Sequence, residues 1–157
     1  MRHRLLVVAN QTVDSPSLLQ ELGRRARERP TEVTLLVPSA WGEHQAAVRR
    51  AETAVAALRE DGMQVDAMLG HMDPVCAVQE VWDPRRYDEV LVATLPTGSS
   101  RWLQVDLPHR IAKLTGASVQ HVEVAPPRVP VPPAPPRVEP REPFLVRLLG
   151  SLRISTR

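Results

Sequence analysis

Five short runs of apolar, often β-branched residues recur along the chain with helix-periodic segments between them, and this alternation restricts the fold more than any other feature. Arg4 to Asn10 (RLLVVAN) and Glu32 to Pro38 (EVTLLVP) are nearly continuous apolar runs, the pattern of strands buried on both faces of a parallel sheet. Gln64 to Leu69 (QVDAML) alternates instead, with Val65, Ala67 and Leu69 on one side and Asp66 on the other, as at a sheet edge. Tyr87 to Thr94 and Ser118 to Glu123 complete the set. In the first helical segment Leu18, Leu19, Leu22 and Ala26 share a face, behind Asp14 or Ser15 as cap and Pro16 in the first turn. Val48, Ala51, Val55 and Leu58 do the same from Glu43 to Asp61, and Gly62 stands where a left-handed C-cap is wanted. Asp73 and Pro74 open a third helix whose Val75, Val78, Val81 and Trp82 face inward. A βαβαβαβαβ alternation needs right-handed crossovers and gives an α/β fold, a parallel sheet with helices on both faces.

The stretch from Tyr87 to Gly116 reads as a buried strand, a loop of turn residues and a helix. In an open α/β sheet such a loop lies at the carboxyl end of the strand, where backbone N–H groups favour an anion. Read without gaps from Gly98, the stretch resembles the last third of a universal stress protein domain, whose nucleotide-binding forms carry G-x2-G-x9-G-[ST] between strand four and helix four. Gly98 falls on the second glycine, and PHRIAKLTGASVQHV follows in the family's register. Leu95 and Pro96 stand where the first glycine belongs, and Val105 and Asp106 occupy the Gly-Ser pair, so a carboxylate replaces a phosphate ligand. The resemblance covers nearly all of residues 3–124 and implies an open, Rossmann-like five-stranded parallel sheet of order 3-2-1-4-5. It also implies pairing of two chains through the last strand, and a strand-one aspartate beside the nucleotide, followed two positions later by a small polar residue. Here those positions hold Asn10 and Thr12.

Composition narrows the function classes. Hydrophobic residues make up 43% and charged residues 24% of 157, as expected of a soluble globular chain. No run approaches the ~20 apolar residues of a membrane helix, and the first residues lack a long apolar signal core, so a cytoplasmic location is expected. The single cysteine, Cys76, permits no internal disulfide and is expected to be buried on the apolar side of the third helix. Although the net charge is +2, residues 1–124 carry 14 basic and 16 acidic side chains, whereas residues 125–157 carry six Arg and two Glu. The excess belongs to the tail, and the arginines of the first helix have no interleaved aromatics, which argues against nucleic acid.

From Ala125 the chain changes character. Residues 125–143 hold nine prolines and form an extended linker after the domain of residues 1–124. Residues 144–157 read as a short amphipathic, basic helix with Phe144, Leu145, Leu148, Leu149 and Leu152 on one face and Arg147 and Arg153 away from its centre. So short a helix is marginal alone in water, and its expected docking surface is the domain, a protein partner or an anionic membrane.

The expected ligand cleft gathers Asn10, Thr12, Pro38, Gly70 and Thr94 with the loop residues Thr97, Gly98, Ser99 and Ser100, and with Asp106 and His109 at the start of the next helix. Asp106, two residues before Pro108, is expected to cap that helix and so occupy the N–H groups a phosphate would use. His71, Asp106 and His109 are the candidates for a metal or proton-transfer cluster, but their spacing matches no metal motif, and a Walker lysine, nucleophile elbow or paired carboxylates are missing from the sequence. The reading is therefore a non-enzymatic, ligand-binding or regulatory protein of universal-stress type with a degenerate nucleotide site, weak adenine nucleotide binding at most, no metal, a homodimer and a C-terminal docking helix. The alternatives are an ATP-binding universal stress protein and a small α/β hydrolase or nucleotidyl enzyme.

Overall fold

The structure, a computed structural model, describes residues 1–96 and 101–125. The expected loop residues Thr97, Gly98, Ser99 and Ser100, the proline-rich linker beyond Ala125 and the tail residues Phe144, Leu145, Arg147, Leu148, Leu149, Leu152 and Arg153 lie outside the described residues.

Five strands, β1 (His3–Val8), β2 (Thr31–Pro38), β3 (Gln64–Gly70), β4 (Glu89–Thr94) and β5 (Ser118–Glu123), form one sheet of order β3-β2-β1-β4-β5. All four pairings are parallel. Helices α1 (Pro16–Glu28), α2 (His44–Glu60), α3 (Pro74–Val81), α4 (Arg101–Gln104) and α5 (Leu107–Thr115) supply the crossovers, and a 3-10 turn at Trp41–Glu43 leads into α2. The sheet order is the one implied by the resemblance.

Strand residues alternate between two cores because successive side chains point to opposite faces. Leu5 and Val7 of β1 pack with Leu18, Leu22, Ala51 and Leu58 of α1 and α2. Leu6 and Val8 pack with Ala77, Val78, Leu107 and Ile111 of α3 and α5. β4 is buried throughout, whereas β3 and β5, which lie at the two edges, are partly exposed; Ala67, expected on the apolar side of β3, is exposed like Asp66 because no helix covers that part of the edge strand. The continuous and alternating runs of the sequence thus correspond to interior and edge strands.

Local signals fix the helix ends. The Ser15 hydroxyl accepts a hydrogen bond from the Leu18 N–H at 3.3 Å, and the Asp73 carboxylate accepts from Val75 and Cys76 at 2.8 and 3.3 Å. Gly62 closes α2 at φ +78°. Cys76 departs from expectation: it is only half-buried, since α3 turns Ala77 and Val78 fully inward and leaves the preceding residue at the flank of its apolar stripe.

The amino edge of the sheet is closed by a charged network. Glu89, 5% exposed at the start of β4, meets His3 Nε2 at 2.9 Å, Arg29 at 3.1 Å and Arg25 at 3.2 Å. A buried carboxylate needs such partners, because removing a charge from water without them costs several kcal/mol. Among the described residues no helix is long and apolar enough to cross a membrane.

Candidate functional site

In an open parallel sheet the strand order reverses at a switch point, and the crevice beyond the carboxyl ends of the flanking strands is the expected binding place. Here the reversal lies between β1 and β4. Asn10, Thr12 and Thr94 surround it, with Pro38 and Gly70 at the same edge beyond β2 and β3.

Their environments differ. Thr12 is buried, and its hydroxyl donates to the Ala93 carbonyl at 3.2 Å, tying the loop after β1 to β4. Thr94 is also buried, with its hydroxyl 2.7 Å from His121 Nε2 and its carbonyl accepting from the Val124 N–H at 2.8 Å. Both hydroxyls are therefore engaged within the fold. Pro38 is buried, and the Ser39 N–H donates to the Gly70 carbonyl at 3.3 Å, joining the loops after β2 and β3. At Gly70 a Cβ would stand 2.7 Å from Ala77 Cβ and 2.8 Å from Leu36 Cδ1. Close passage of α3 over the sheet requires that glycine, independently of any ligand.

Asn10 is half-buried at the end of β1, and its side-chain oxygen accepts a hydrogen bond from Arg50 Nη2 at 3.0 Å. Arg50 Nε is buried with no partner among the described residues. A fixed guanidinium thus stands at the switch point, its charge not neutralised by the uncharged amide it meets. The helical spacing of Val48, Ala51 and Val55 marked the apolar face of α2 but gave no sign of Arg50, whose partner is 40 residues away along the chain.

Asp106 corrects the expectation of a side-chain cap. It lies in the left-handed region at φ 51° and ψ 49°, the only non-glycine residue with positive φ among those described. A capping side chain reaches the first-turn N–H groups from an extended backbone; the left-handed conformation directs it elsewhere. The Asp106 carboxylate makes no cap bond and is exposed, although its backbone carbonyl accepts from the Arg110 N–H at 3.1 Å. His109, in the first turn of α5, is exposed. His71 is exposed as well, and its Nδ1 accepts from the Asp73 N–H at 3.0 Å, which holds the loop after β3. Among the described residues no group of three or more His, Cys, Asp or Glu side chains is placed to hold a metal ion.

Three loops on this edge carry large exposed apolar side chains: Trp41 after β2, Met72 after β3 and Val105 before α5, at 98%, 63% and 50% exposure. Among the described residues this edge therefore combines a buried polar floor with the Arg50 guanidinium, the exposed Asp106 carboxylate and an apolar rim.

No family model matches the chain, and no curated protein matches it. Solved structures do resemble it. A universal stress protein in complex with cAMP superposes with a TM-score of 0.54 at 16% identity, over 78% of this chain and 98% of that one. The universal stress protein from Archaeoglobus fulgidus matches with a TM-score of 0.52 at 12% identity, over 78% of this chain and 95% of that one. Its complex with dAMP gives 0.56 at 12% identity, over 78% and 98%. The fold is that of the universal stress proteins.

Proposed function

From a chain with the universal stress protein fold, we infer a non-enzymatic ligand-binding or regulatory protein whose carboxyl-edge site takes an adenine mononucleotide weakly and a triphosphate less well. The observation that carries this reading is the Asn10–Arg50 pair. Where nucleotide-binding members of the resembled family hold a strand-one aspartate, this chain holds a neutral amide beside a half-buried cation, a change that favours one negative group on the ligand. The Asp106 carboxylate, exposed beside the start of α5, repels a longer phosphate chain there. Two similar structures are described as complexes with cAMP and dAMP, which agrees with a mononucleotide. The engagement of Thr12, Thr94 and His71 in structural hydrogen bonds supports the absence of catalysis.

Calorimetric titration of the full chain with AMP and ATP tests the site. AMP is expected to bind with a Kd of about 0.1–1 mM and ATP more weakly. Replacing Asp106 by glycine, which the left-handed backbone accepts, is expected to strengthen ATP binding. Micromolar ATP affinity in the unaltered chain would refute the degenerate-site reading.

The assembly belongs to the same proposal. β5 is an edge strand and offers a pairing surface to a second copy, which sedimentation of the full chain tests: a monomer at all accessible concentrations refutes it. The amphipathic segment of residues 144–157 is proposed to dock on a protein partner, and the chain to be cytoplasmic, with an anionic membrane as the competing surface. Flotation with anionic vesicles separates these, using the full chain and a version ending at Ala125. The cut follows Val124 because that residue is fully buried and bonded to Thr94.

A further inference from the structure

A second cavity lies far from the carboxyl edge, on the face of the sheet covered by α3 and α5. Its cause is a mismatch of lengths. α3 has eight residues and spans about 12 Å, whereas the eight residues of β2 span about 26 Å, so α3 leaves the amino half of the sheet face uncovered. The uncovered half forms a cavity of about 250 Å³, room for a small molecule.

Four strand positions and two residues of the loop before β4 determine its chemistry. Glu32 and Thr34 come from β2, Asp66 and Met68 from β3, and Arg86 and Tyr87 from the loop. Arg4, which also lines the cavity, is engaged by the Asp88 carboxylate at 2.8 and 3.2 Å and by the Arg85 carbonyl. Asp66 is met by Arg59 at 3.2 Å. The charged groups left to face a ligand are the Glu32 carboxylate and the Arg86 guanidinium. Tyr87 forms part of the wall. The residue is only 4% exposed, its ring stacks on Trp82 at 6.0 Å between centroids, and its buried hydroxyl has no partner among the described residues. A buried hydroxyl left unsatisfied is costly, and this one is closed off from the cavity as well as from solvent. The Arg86 guanidinium stands over the same ring, 5.7 Å from its centroid.

We propose that this cavity binds a small zwitterion of the free amino acid class. Its carboxylate takes the Arg86 guanidinium, its ammonium takes Glu32 and Thr34, and an apolar side chain rests on Met68. A divalent cation fits less well, since no group of three or more acidic or imidazole ligands is gathered among the described residues. This site is separate from the carboxyl-edge reading and stands whether or not a nucleotide binds.

The test is a titration of the full, isotope-labelled chain with a panel of free amino acids from glycine to phenylalanine, followed by amide chemical shifts, with isobutylamine and isovalerate as half-ligands for valine. At least one amino acid is expected to shift the amides of Thr34, Met68 and Tyr87 at millimolar concentration. Each half-ligand of valine should bind at least about tenfold more weakly than valine itself, a loss of about 1.4 kcal/mol. Glu32→Gln and Arg86→Gln change exposed side chains and should each weaken binding to a similar degree. The proposal fails if no amino acid shifts these amides, if the half-ligands bind as well as valine, or if the Glu32 and Arg86 variants bind unchanged.

Discussion

Asn10 and Arg50 meet at the switch point of the sheet, with 3.0 Å between the amide oxygen and the guanidinium. The pair joins the end of β1 to α2 and leaves a positive charge that no carboxylate neutralises among the described residues. Asn10→Asp would turn the contact, already charge-assisted through Arg50, into an ion pair, which at a half-buried site adds up to about 1 kcal/mol. The variant should therefore unfold at higher denaturant and bind AMP more weakly. Equilibrium unfolding and calorimetry read the two effects separately; stronger AMP binding would contradict the role given to Arg50.

Acid should destabilise the fold through two surface carboxylates. Hydrogen bonds from Arg24 and Arg25 hold Glu21 well below its usual range, at about 2. The side chain and backbone N–H of Arg4 hold Asp88 at about 2. A carboxylate with a depressed pKa in the folded state contributes stability above its unfolded value, and this is lost as the pH falls through the folded value. The ordinary values are 4.5 and 3.8, so the melting temperature should decline from about pH 4.5 toward pH 2. Glu21→Gln and Asp88→Asn should each make the decline shallower.

Gly70→Ala should destabilise by about 1–3 kcal/mol, the usual cost of overpacking, because the new methyl would collide with Ala77 and Leu36. Denaturant unfolding measures the loss. Combining it with Ala77→Gly should recover part of that loss, since one of the two collisions disappears, and the double-mutant cycle would show coupling.

Asp106→Gly should stabilise by roughly 0.5 kcal/mol. Left-handed backbone costs an L-residue about 1–2 kcal/mol, aspartate less than most, and the greater freedom of glycine in the unfolded chain offsets part of the gain. A loss of stability on thermal or chemical unfolding would show that the exposed carboxylate has a partner role in the folded state.

The sheet was legible in the sequence because burial on two faces and on one face leave different apolar patterns. Leu5 to Ala9 read as interior, and Asp66 among Val65, Ala67 and Leu69 read as a partly exposed or edge strand, although Ala67 is itself exposed. Ser15 and Asp73 were legible as caps because capping is decided within a few residues. Asp106 looked the same locally, yet the path of the chain from β4 into α5 sets the sign of its φ, and this overrides the capping preference. Arg50, Glu89 and the cavity beside Tyr87 depend on contacts between residues distant in sequence, so no window of the chain could reveal them.

The bond from the Val124 N–H to the Thr94 carbonyl also has a mechanical meaning. The chain enters the sheet at the amino end of β1 and leaves it at the carboxyl end of β5, with β4 between them and all three strands parallel. Tension between Met1 and Val124 would pull β1 and β5 in opposite directions along their own axes. It would load both ladders of β4 in shear, many hydrogen bonds at once, instead of unzipping them singly. A force spectrometer with handles at Met1 and Val124 should record one high rupture event, whereas handles at Val124 and Leu95, which sit at the same end of the parallel strands β5 and β4 and so peel them apart, should record a lower one.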